Sequence, residues 1–217
     1  MAINLVKGQK IDLRKGGSGK KLSNVCVGLN WGAIEKYVEE KEGGFLGFGG
    51  NVVRKRKLID VDLDASCVLL DANNNLLDTV YYGQLKSKLG GVSHSGDDLT
   101  GDLDGDDGLD NEIISVNLDR VPANVEQIVF FLNSYKKQDF ADIPFATIRI
   151  YEGTPGRVDT VYANFDVANG AEFAGKISMI MGKFYRRNGE WKFSAIGDPT
   201  TDRDLKETVR TILSRYA

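Results

Sequence analysis

The chain has 217 residues, of which 41% are hydrophobic and 27% are charged, and its formal net charge is −3. This composition is that of an ordinary soluble globular protein, and it gives no support to a nucleic-acid-binding function, which requires a basic surface. No apolar run is long enough to span a membrane, and the N-terminus lacks the apolar segment of a signal peptide. We therefore expect a cytoplasmic protein with a single domain over residues 1–217.

Short segments of alternating apolar residues, separated by turn signals, follow one another along most of the chain. Strands at this spacing, without helices between them, predict an all-β fold, a β-sandwich of two mainly antiparallel sheets. The sequence Arg187-Asn188-Gly189 predicts a hairpin turn between the last two strands. The predicted strands cover residues 3–6, 10–13, 24–29, 58–71, 79–84, 113–118, 127–133, 145–151, 156–165, 176–186 and 190–196.

The C-terminal segment has a helical period and predicts a terminal helix over residues 201–216. Thr201 with Asp204 is the candidate N-terminal cap of this helix. We expect its apolar face to pack on a sheet, and docking to a partner protein is the alternative. The residues on that face are Leu205, Val209, Ile212, Leu213 and Tyr216.

The two cysteines, Cys26 and Cys67, each lie in an apolar strand pattern. We expect two buried thiols, and a disulfide remains the alternative. Buried free thiols agree with a cytoplasmic location, where cysteines stay reduced.

The segment before residue 58 interrupts the strand pattern. A charged run followed by GGFLGFGG predicts a mobile insertion over residues 41–57. A membrane or partner contact through Phe45, Leu46 and Phe48 is the alternative. The basic run over residues 54–57 has no interleaved aromatic residue, so it predicts a solvated edge that neutralises nearby acids rather than a nucleic-acid site.

The strand predicted over residues 58–71 has one apolar and one acidic face, because successive side chains alternate between faces. The apolar face consists of Val61, Leu63, Ala65, Cys67 and Leu69. The acidic face consists of Asp60, Asp62, Asp64 and Ser66. Alternate side chains lie about 6.6 Å apart along a strand, so neighbouring carboxylates on one face can bridge a cation. A solvent-facing strand would normally mix charges of both signs, and this one does not.

A glycine-rich acidic loop follows, with no Lys or Arg between Leu89 and Asp119. Glycine lets the backbone turn sharply, and carboxylates are ligands that Ca²⁺ prefers. Two such charges about 6 Å apart repel by roughly 3 kcal/mol at an effective dielectric near 20, so the loop is either disordered and solvated or folded around metal. Its acids are Asp97, Asp98, Asp102, Asp104, Asp106, Asp107, Asp110 and Glu112.

The acidic loop does not match the EF-hand pattern. In a frame that starts at Asp102, Asp107 occupies the position that requires glycine. Ile113 occupies the position of the closing glutamate, and Glu112 comes one residue early. The sequence therefore predicts a calcium loop of another type, or none.

Several separated motifs, in order, resemble the TerD family of tellurite-resistance and stress proteins. They are GLNW at 28–31, DLDAS at 62–66, QLKS at 84–87, HSGDDLTG at 94–101, VPANV at 121–125 and RRNGEWKF at 186–193. The resemblance covers residues 3–197, and the Gly-rich insertion with NSY at 133–135 is more similar to TerZ- and TerX-like members. It implies a β-sandwich, Ca²⁺ binding at an acidic end, a cytoplasmic role in chemical-stress and tellurite resistance, and no enzymatic activity.

The resemblance also implies a set of metal ligands, with two departures from the family pattern. Leu103 replaces a glycine, and residues 108–111 are inserted just before Glu112. The insertion leaves open whether Glu112 or Asp110 is the last ligand. The implied ligands for one or two Ca²⁺ ions are Asp62, Asp64, Asp97, Asp98, Thr100, Asp104, Asp106, Asp107 and Glu112.

These observations favour a non-enzymatic calcium-binding protein in which Ca²⁺ orders the acidic loop into a surface for other stress-resistance proteins, membrane-associated ones included. A Ca²⁺-dependent membrane-attaching module is one alternative. A metal-dependent hydrolase with a two-metal site is another, but the chain has one histidine, His94, and we expect a structural role for it.

Overall fold

A computed structural model describes residues 3–4, 7–14, 19–42, 51–168 and 170–217. A helix, α1 (Leu205–Arg215), follows the last strand, and two short 3-10 helices span Phe140–Asp142 and Ala171–Phe173. The described strands are, in chain order, β1 (Ile3–Asn4), β2 (Lys10–Asp12), β3 (Asn24–Trp31), β4 (Ile34–Glu42), β5 (Asn51–Ile59), β6 (Leu63–Leu70), β7 (Leu76–Val80), β8 (Val92–His94), β9 (Glu112–Asn117), β10 (Gln127–Ser134), β11 (Ala146–Thr154), β12 (Arg157–Asp166), β13 (Ser178–Arg187) and β14 (Glu190–Thr200).

Most of these strands form two six-stranded sheets. The first sheet has the order β1-β12-β11-β3-β9-β8, and the second has the order β2-β14-β13-β10-β6-β7. Among the described strands of both sheets, β1 with β12 is the one parallel pair, and the other pairs are antiparallel. The prediction of a sandwich of two mainly antiparallel sheets with a C-terminal helix is confirmed. The predicted turn between β13 and β14 also forms, with Asn188 and Gly189 at φ +54° and +72°.

An apolar core contains side chains from both sheets, including Leu29 of the first and Phe130 of the second. The apolar face predicted for residues 61–69 belongs entirely to this core. However, β5 ends at Ile59 and β6 begins at Leu63, so residues 58–71 are not one strand. Asp60 is consequently exposed and lies outside the strand face that was predicted to carry it.

Both cysteines are buried free thiols, as predicted. Cys67 lies in the core between the sheets. Cys26 lies in a separate small cluster with Ile113 and Tyr151. Burial is the largest cause that raises the pKa of each thiol.

Helix α1 packs on the second sheet through Val209 and Ile212. Leu213, which was predicted on the same face, is 37% exposed. The helix begins at Leu205 because Asp204 is the N-cap and its side chain accepts a hydrogen bond from the Glu207 amide at 2.9 Å. The predicted start at Thr201 is therefore wrong, since β14 continues to Thr200.

The segment predicted as an insertion forms an antiparallel hairpin in its described part. β4 pairs with β5 along their whole lengths, with Ile34 opposite Ile59 and Glu42 opposite Asn51. Residues 43–50, which include Phe45, Leu46 and Phe48, lie outside the described residues. The basic run lies in β5 and is exposed. Arg56 contacts Glu35 at 2.7 Å and lies 3.8 Å from Asp104, so the prediction that this run neutralises nearby acids is confirmed.

The strand predicted over residues 79–84 ends at Val80. Tyr81 and Gln84 then close a turn through two backbone hydrogen bonds. The Asp78 carboxylate explains this early end, because it accepts hydrogen bonds from the Gln84 amide group at 2.8 Å and the Ser87 hydroxyl at 2.7 Å. A buried carboxylate with this many donors organises a turn rather than a continuing strand.

Candidate metal centre

The acidic loop between β8 and β9 is anchored to the sandwich by backbone hydrogen bonds. The Asp102 amide donates to the Trp31 carbonyl at 2.9 Å, and the Val61 amide donates to the Thr100 carbonyl at 3.1 Å. Gly101 permits this close approach, because its φ is +68° and a Cβ there would lie 2.5 Å from the Trp31 indole. The loop is therefore held between the end of β3 and the start of β6.

Three carboxylates converge where the acidic loop meets β6, and we call them the first cluster. Oxygen atoms of Asp62, Asp64 and Asp97 lie within 4.8 Å of one another. Asp62 and Asp64 are buried, whereas Asp97 is exposed. Asp62 Oδ1 has no hydrogen-bond partner among the described residues. Three hard oxygen donors, one of them buried and unpartnered, form a suitable donor set for a divalent cation.

Lys136 lies at the edge of the first cluster and was not identified from the sequence. Its Nζ lies 3.8 Å from Asp62 Oδ2 and donates a hydrogen bond to the Leu99 carbonyl at 2.8 Å. Its side chain is 41% exposed, so it offsets the charge of Asp62 only partly. No local sequence signal points to Lys136, because it follows β10, far along the chain from the acidic loop.

The charge on Asp64 is disfavoured in the folded, metal-free protein. Burial raises the pKa of Asp64 to about 8, and the negative charges of Glu112, Asp62 and Asp97 act in the same direction. Burial also raises the pKa of Asp62, although the charge of Lys136 opposes that shift. A cation in the first cluster would remove this repulsion.

We expect the metal-free protein to lose stability, relative to the Asp64→Asn variant, as the pH rises from about 4 to about 8. The unfolded chain releases the Asp64 proton near 3.8, and the folded chain releases it near 8. Between these values the folded state holds the extra proton, so each pH unit lowers the free energy of unfolding by up to about 1.4 kcal/mol. Urea unfolding of both proteins in chelator across this range measures the difference. Parallel pH profiles would contradict the assignment.

Glu112 ties β6 to the acidic loop and is 0% exposed. Its Oε2 accepts a hydrogen bond from the Ala65 amide at 2.7 Å, and its Oε1 accepts one from the Asp98 amide at 3.2 Å. Burial raises its pKa, while the hydrogen bonds from His94 and from the Ala65 and Asp98 amides oppose the shift. Glu112 therefore lies beside Asp64, but the backbone already uses both of its oxygens.

His94 lies beside Glu112, and its ring is held by contacts with the backbone. Its Nδ1 accepts a hydrogen bond from the Gly96 amide at 3.1 Å, so the neutral ring carries its proton on Nε2. Nε2 lies 3.0 Å from the Ala65 carbonyl and 3.4 Å from Glu112 Oε2. Both ring nitrogens are thus engaged, which agrees with the structural role expected for this histidine.

A second cluster lies further along the acidic loop and consists of Asp102, Asp106 and Asp107, whose oxygens also lie within 4.8 Å of one another. Asp106 and Asp107 are exposed, and Asp102 is half-buried. Asn30 Nδ2 donates to Asp106 Oδ1 at 2.8 Å, and Asn111 Nδ2 donates to Asp102 Oδ1 at 2.9 Å. This cluster is shallower than the first, and amide groups already occupy part of its oxygen set.

Three residues of the second cluster's surroundings were missed as site residues from the sequence. Asp102 was noted among the loop acids but was not included with the ligands. Asn30 lies in the GLNW motif, which was recognised without a role for its amide. Asn111 lies in the insertion, and its Oδ1 also accepts a hydrogen bond from the Trp31 amide at 2.8 Å.

Besides Glu112, three predicted ligands lie outside both clusters, namely Asp98, Thr100 and Asp104. Asp98 closes a turn, because its Oδ1 accepts hydrogen bonds from the amides of Thr100 and Gly101 at 2.9 Å and from the Thr100 hydroxyl at 3.2 Å. The Asp104 side chain is 92% exposed and faces Arg56 at 3.8 Å. The structure thus brings together five of the nine predicted ligands: Asp62, Asp64, Asp97, Asp106 and Asp107.

Asp110, the alternative to Glu112, lies apart from both clusters. Its Oδ1 lies 2.6 Å from Arg149 Nε in an ionic contact whose angle is not that of a hydrogen bond. It packs against Gly28, where a Cβ would lie 2.0 Å from Asp110 Oδ2. Burial raises the pKa of Asp110, and Arg149 opposes the shift. The insertion therefore places Asp110 against Arg149 and leaves Glu112 beside Asp64.

Comparison with known proteins identifies the family of this chain. A model of the TerD domain matches residues 1–211. The chain belongs to the TerD family. It is 40% identical to stress response protein SCP2 of Bacillus subtilis (strain 168) over 227 aligned residues, which cover 100% of both chains. It is 36% identical to tellurium resistance protein TerZ of Serratia marcescens, over 98% of this chain and 97% of TerZ.

The fold of this TerD-family protein is also found in solved structures. A homologue of telluride resistance protein (TerD) from Streptomyces coelicolor A3(2) matches with a TM-score of 0.60 at 17% identity, covering 87% of this chain and 95% of that one. Similarity at this identity supports the fold alone. In the part of the TerD-family chain that the structure describes, no helix has the length and apolar character needed to cross a membrane.

Proposed function

We propose that this protein is a non-enzymatic calcium-binding protein of a tellurite or chemical-stress resistance system. The first cluster carries the proposal, because Asp62 Oδ1 is buried without a partner beside the carboxylates of Asp64 and Asp97. The names of the relatives support the biological role, since SCP2 is a stress response protein and TerZ a tellurium resistance protein.

The donor set favours Ca²⁺ over Mg²⁺. Ca²⁺ takes six to eight oxygen ligands in flexible geometry, whereas Mg²⁺ requires a near-ideal octahedron and gives up water reluctantly. Asp62 comes just before β6, Asp64 from the start of β6 and Asp97 from a loop, so backbone carbonyls and water complete the shell. The second cluster offers a place for a second ion, held by Asp102, Asp106 and Asp107.

The remaining predicted ligands have supporting roles in this proposal. Glu112 positions the Asp64–Ala65 backbone and the start of the acidic loop through its two amide hydrogen bonds. Asp98 and Thr100 close the turn that directs the loop back toward Val61. Asp104 contributes to the negative potential that attracts the cation, since its side chain is exposed.

We propose that Ca²⁺ acts by ordering the acidic loop. The cation removes the repulsion among the carboxylates and fixes the loop against β3 and β6, which creates a surface for a partner. The partners are other stress-resistance proteins of the cytoplasm, membrane-associated ones included. The net charge of −3 gives no support to a nucleic-acid partner.

The two alternatives receive less support. A hydrolase needs a general base, and the ring nitrogens of His94, the one histidine of the chain, already contact Ala65 and Gly96. The hypothesis of a Ca²⁺-dependent membrane-attaching module depends on Phe45, Leu46 and Phe48, which lie outside the described residues.

We expect Ca²⁺ to raise the thermal stability of the metal-free protein. A ligand that binds only the folded state stabilises it by about 2.7 kcal/mol at a hundredfold excess over its dissociation constant. Thermal melts in chelator, in excess Ca²⁺ and in excess Mg²⁺ measure the effect, with the largest shift in Ca²⁺. Coincident melts in chelator and in Ca²⁺ would contradict the proposed function.

A further inference from the structure

A cavity of about 640 Å³ opens beside Asp64 on the face of the second sheet that α1 covers. It lies between the start of α1, the turn that follows β7 and the end of β10. We call it the tyrosine pocket, because Tyr81, Tyr82 and Tyr135 line it. Its volume is that of a small-molecule site rather than a packing defect.

The floor of the tyrosine pocket contains an acceptor without a partner. Asn133 is 5% exposed and lies opposite Asp64 on the neighbouring strand. Its Nδ2 donates to Ser178 Oγ at 2.6 Å and to Thr208 Oγ1 at 2.8 Å, which fixes the orientation of the amide. Its Oδ1 then has no hydrogen-bond partner in the described part of the chain. A buried acceptor in this position is available to a donor from outside the protein, either a bound molecule or a water molecule.

One wall of the pocket is aromatic. The rings of Tyr82 and Tyr135 meet edge to face with centroids 6.0 Å apart, and Tyr81 meets Tyr82 at 5.3 Å. Tyr82 is 39% exposed and Tyr135 is 60% exposed, although both are large aromatic side chains. An open aromatic wall of this kind packs favourably against a planar ring.

The rim of the pocket is cationic. Lys137 and Lys206 are exposed, and within the described ranges neither ammonium group has an ion-pair partner. Lys137 has a φ of +61°, which is uncommon for lysine, and its amide donates to the Ser134 carbonyl at 3.1 Å. Asp204 lies on the same rim, but its carboxylate is used to cap α1.

We propose that the tyrosine pocket binds a small anion that carries a planar aromatic ring and a hydrogen-bond donor, namely an aryl carboxylate or aryl phosphate. The ring packs against Tyr82 and Tyr135, the donor reaches Asn133 Oδ1, and the anionic group lies between Lys137 and Lys206. This pocket is a site distinct from the calcium centre. Asp64 borders both, so the positive charge of Ca²⁺ in the first cluster lies close to the pocket and strengthens anion binding; this coupling rests on the proposed function.

The test is a ligand-observed NMR titration of the full chain with 4-hydroxybenzoate and with 4-hydroxyphenyl phosphate, in Ca²⁺ and in chelator. We expect saturable binding, and the tighter probe identifies the carboxylate or phosphate class. Benzoate, which lacks the donor, and 4-hydroxybenzyl alcohol, which lacks the charge, should bind about tenfold more weakly. The absence of saturable binding by either probe in both conditions would overturn the proposal.

Two exposed substitutions locate the binding site without disturbing the core. Tyr135→Ser and Lys206→Glu should each lower the affinity for the tighter-binding probe by about tenfold. Tyr37→Ser and Lys57→Glu are the matched controls, because Tyr37 and Lys57 are exposed on the hairpin of β4 and β5. Equal losses in pocket and control variants would also overturn the proposal. Probe binding that is the same in Ca²⁺ and chelator would uphold the pocket and remove only the coupling to calcium.

Discussion

The Asp64→Asn variant is expected to bind Ca²⁺ about 100-fold more weakly than the wild type, a loss of about 2.7 kcal/mol of binding free energy. Asp64 is 5% exposed and belongs to the first cluster with Asp62 and Asp97. The substitution keeps the size of the side chain and removes one charged ligand from a site that water screens poorly. Calorimetric titration of the demetallated variant measures the change in affinity.

Asp104→Asn provides the matched control for this experiment. It removes the same charge from the same acidic region, but the Asp104 side chain is 92% exposed and lies outside both clusters. We expect its Ca²⁺ affinity to stay within about threefold of the wild type, because an exposed charge is screened by water and salt. Equal affinities of Asp64→Asn and the wild type would show that the cation binds elsewhere.

The Glu112→Ala variant is expected to lower the free energy of unfolding of the metal-free protein by about 3 kcal/mol or more. It leaves the amides of Ala65 and Asp98 without acceptors, and each buried unsatisfied group costs about 1–3 kcal/mol. It also opens a cavity at a side chain that is 0% exposed. Relief of the repulsion between Glu112 and Asp64 offsets part of this cost. Urea unfolding in chelator measures the net change.

Glu112→Gln separates the hydrogen bonds from the charge at this position. Glutamine retains one carbonyl oxygen as an acceptor, so we expect a loss of stability smaller than that of Glu112→Ala. Glu39→Ala, at an exposed glutamate of β4, should change stability by no more than about 0.5 kcal/mol. A Glu112→Ala variant as stable as the wild type would contradict the role of Glu112 as the tie between β6 and the acidic loop.

The fold was predictable from the sequence where side-chain alternation dominates. Val61, Leu63, Ala65, Cys67 and Leu69 share one face and all lie in the core between the sheets, because a one-residue shift of register would turn them away from the other sheet. The element boundaries that were predicted wrongly are set by hydrogen bonds from polar side chains to groups nearby in the sequence. The Asp78 carboxylate organises the turn that ends β7, and Asp204 rather than Thr201 caps α1. Residue pattern alone does not reveal which polar side chain turns back onto the backbone.

The candidate site was predictable in composition but not in the roles of its residues. Three acids were identified from charge density and from resemblance, and they converge: Asp62 just before β6, Asp64 in β6 and Asp97 in a loop. The sequence could not show that Asp98 closes a turn, since Asp97 and Asp98 are chemically identical and differ only in loop geometry. Lys136 and the Asp110–Arg149 contact depend on pairing between distant strands, which no local pattern encodes.

Calorimetric titration of the demetallated wild-type protein with Ca²⁺ and, separately, with Mg²⁺ tests the central claim most directly. The account predicts one or two Ca²⁺ ions per chain and a clear preference for Ca²⁺ over Mg²⁺, because Ca²⁺ accepts an irregular shell of carboxylate oxygens such as those of the first cluster, whereas Mg²⁺ requires a near-ideal octahedron. Absence of Ca²⁺ binding, or equal binding of both ions, would contradict a calcium centre at the acidic end of this TerD-family protein.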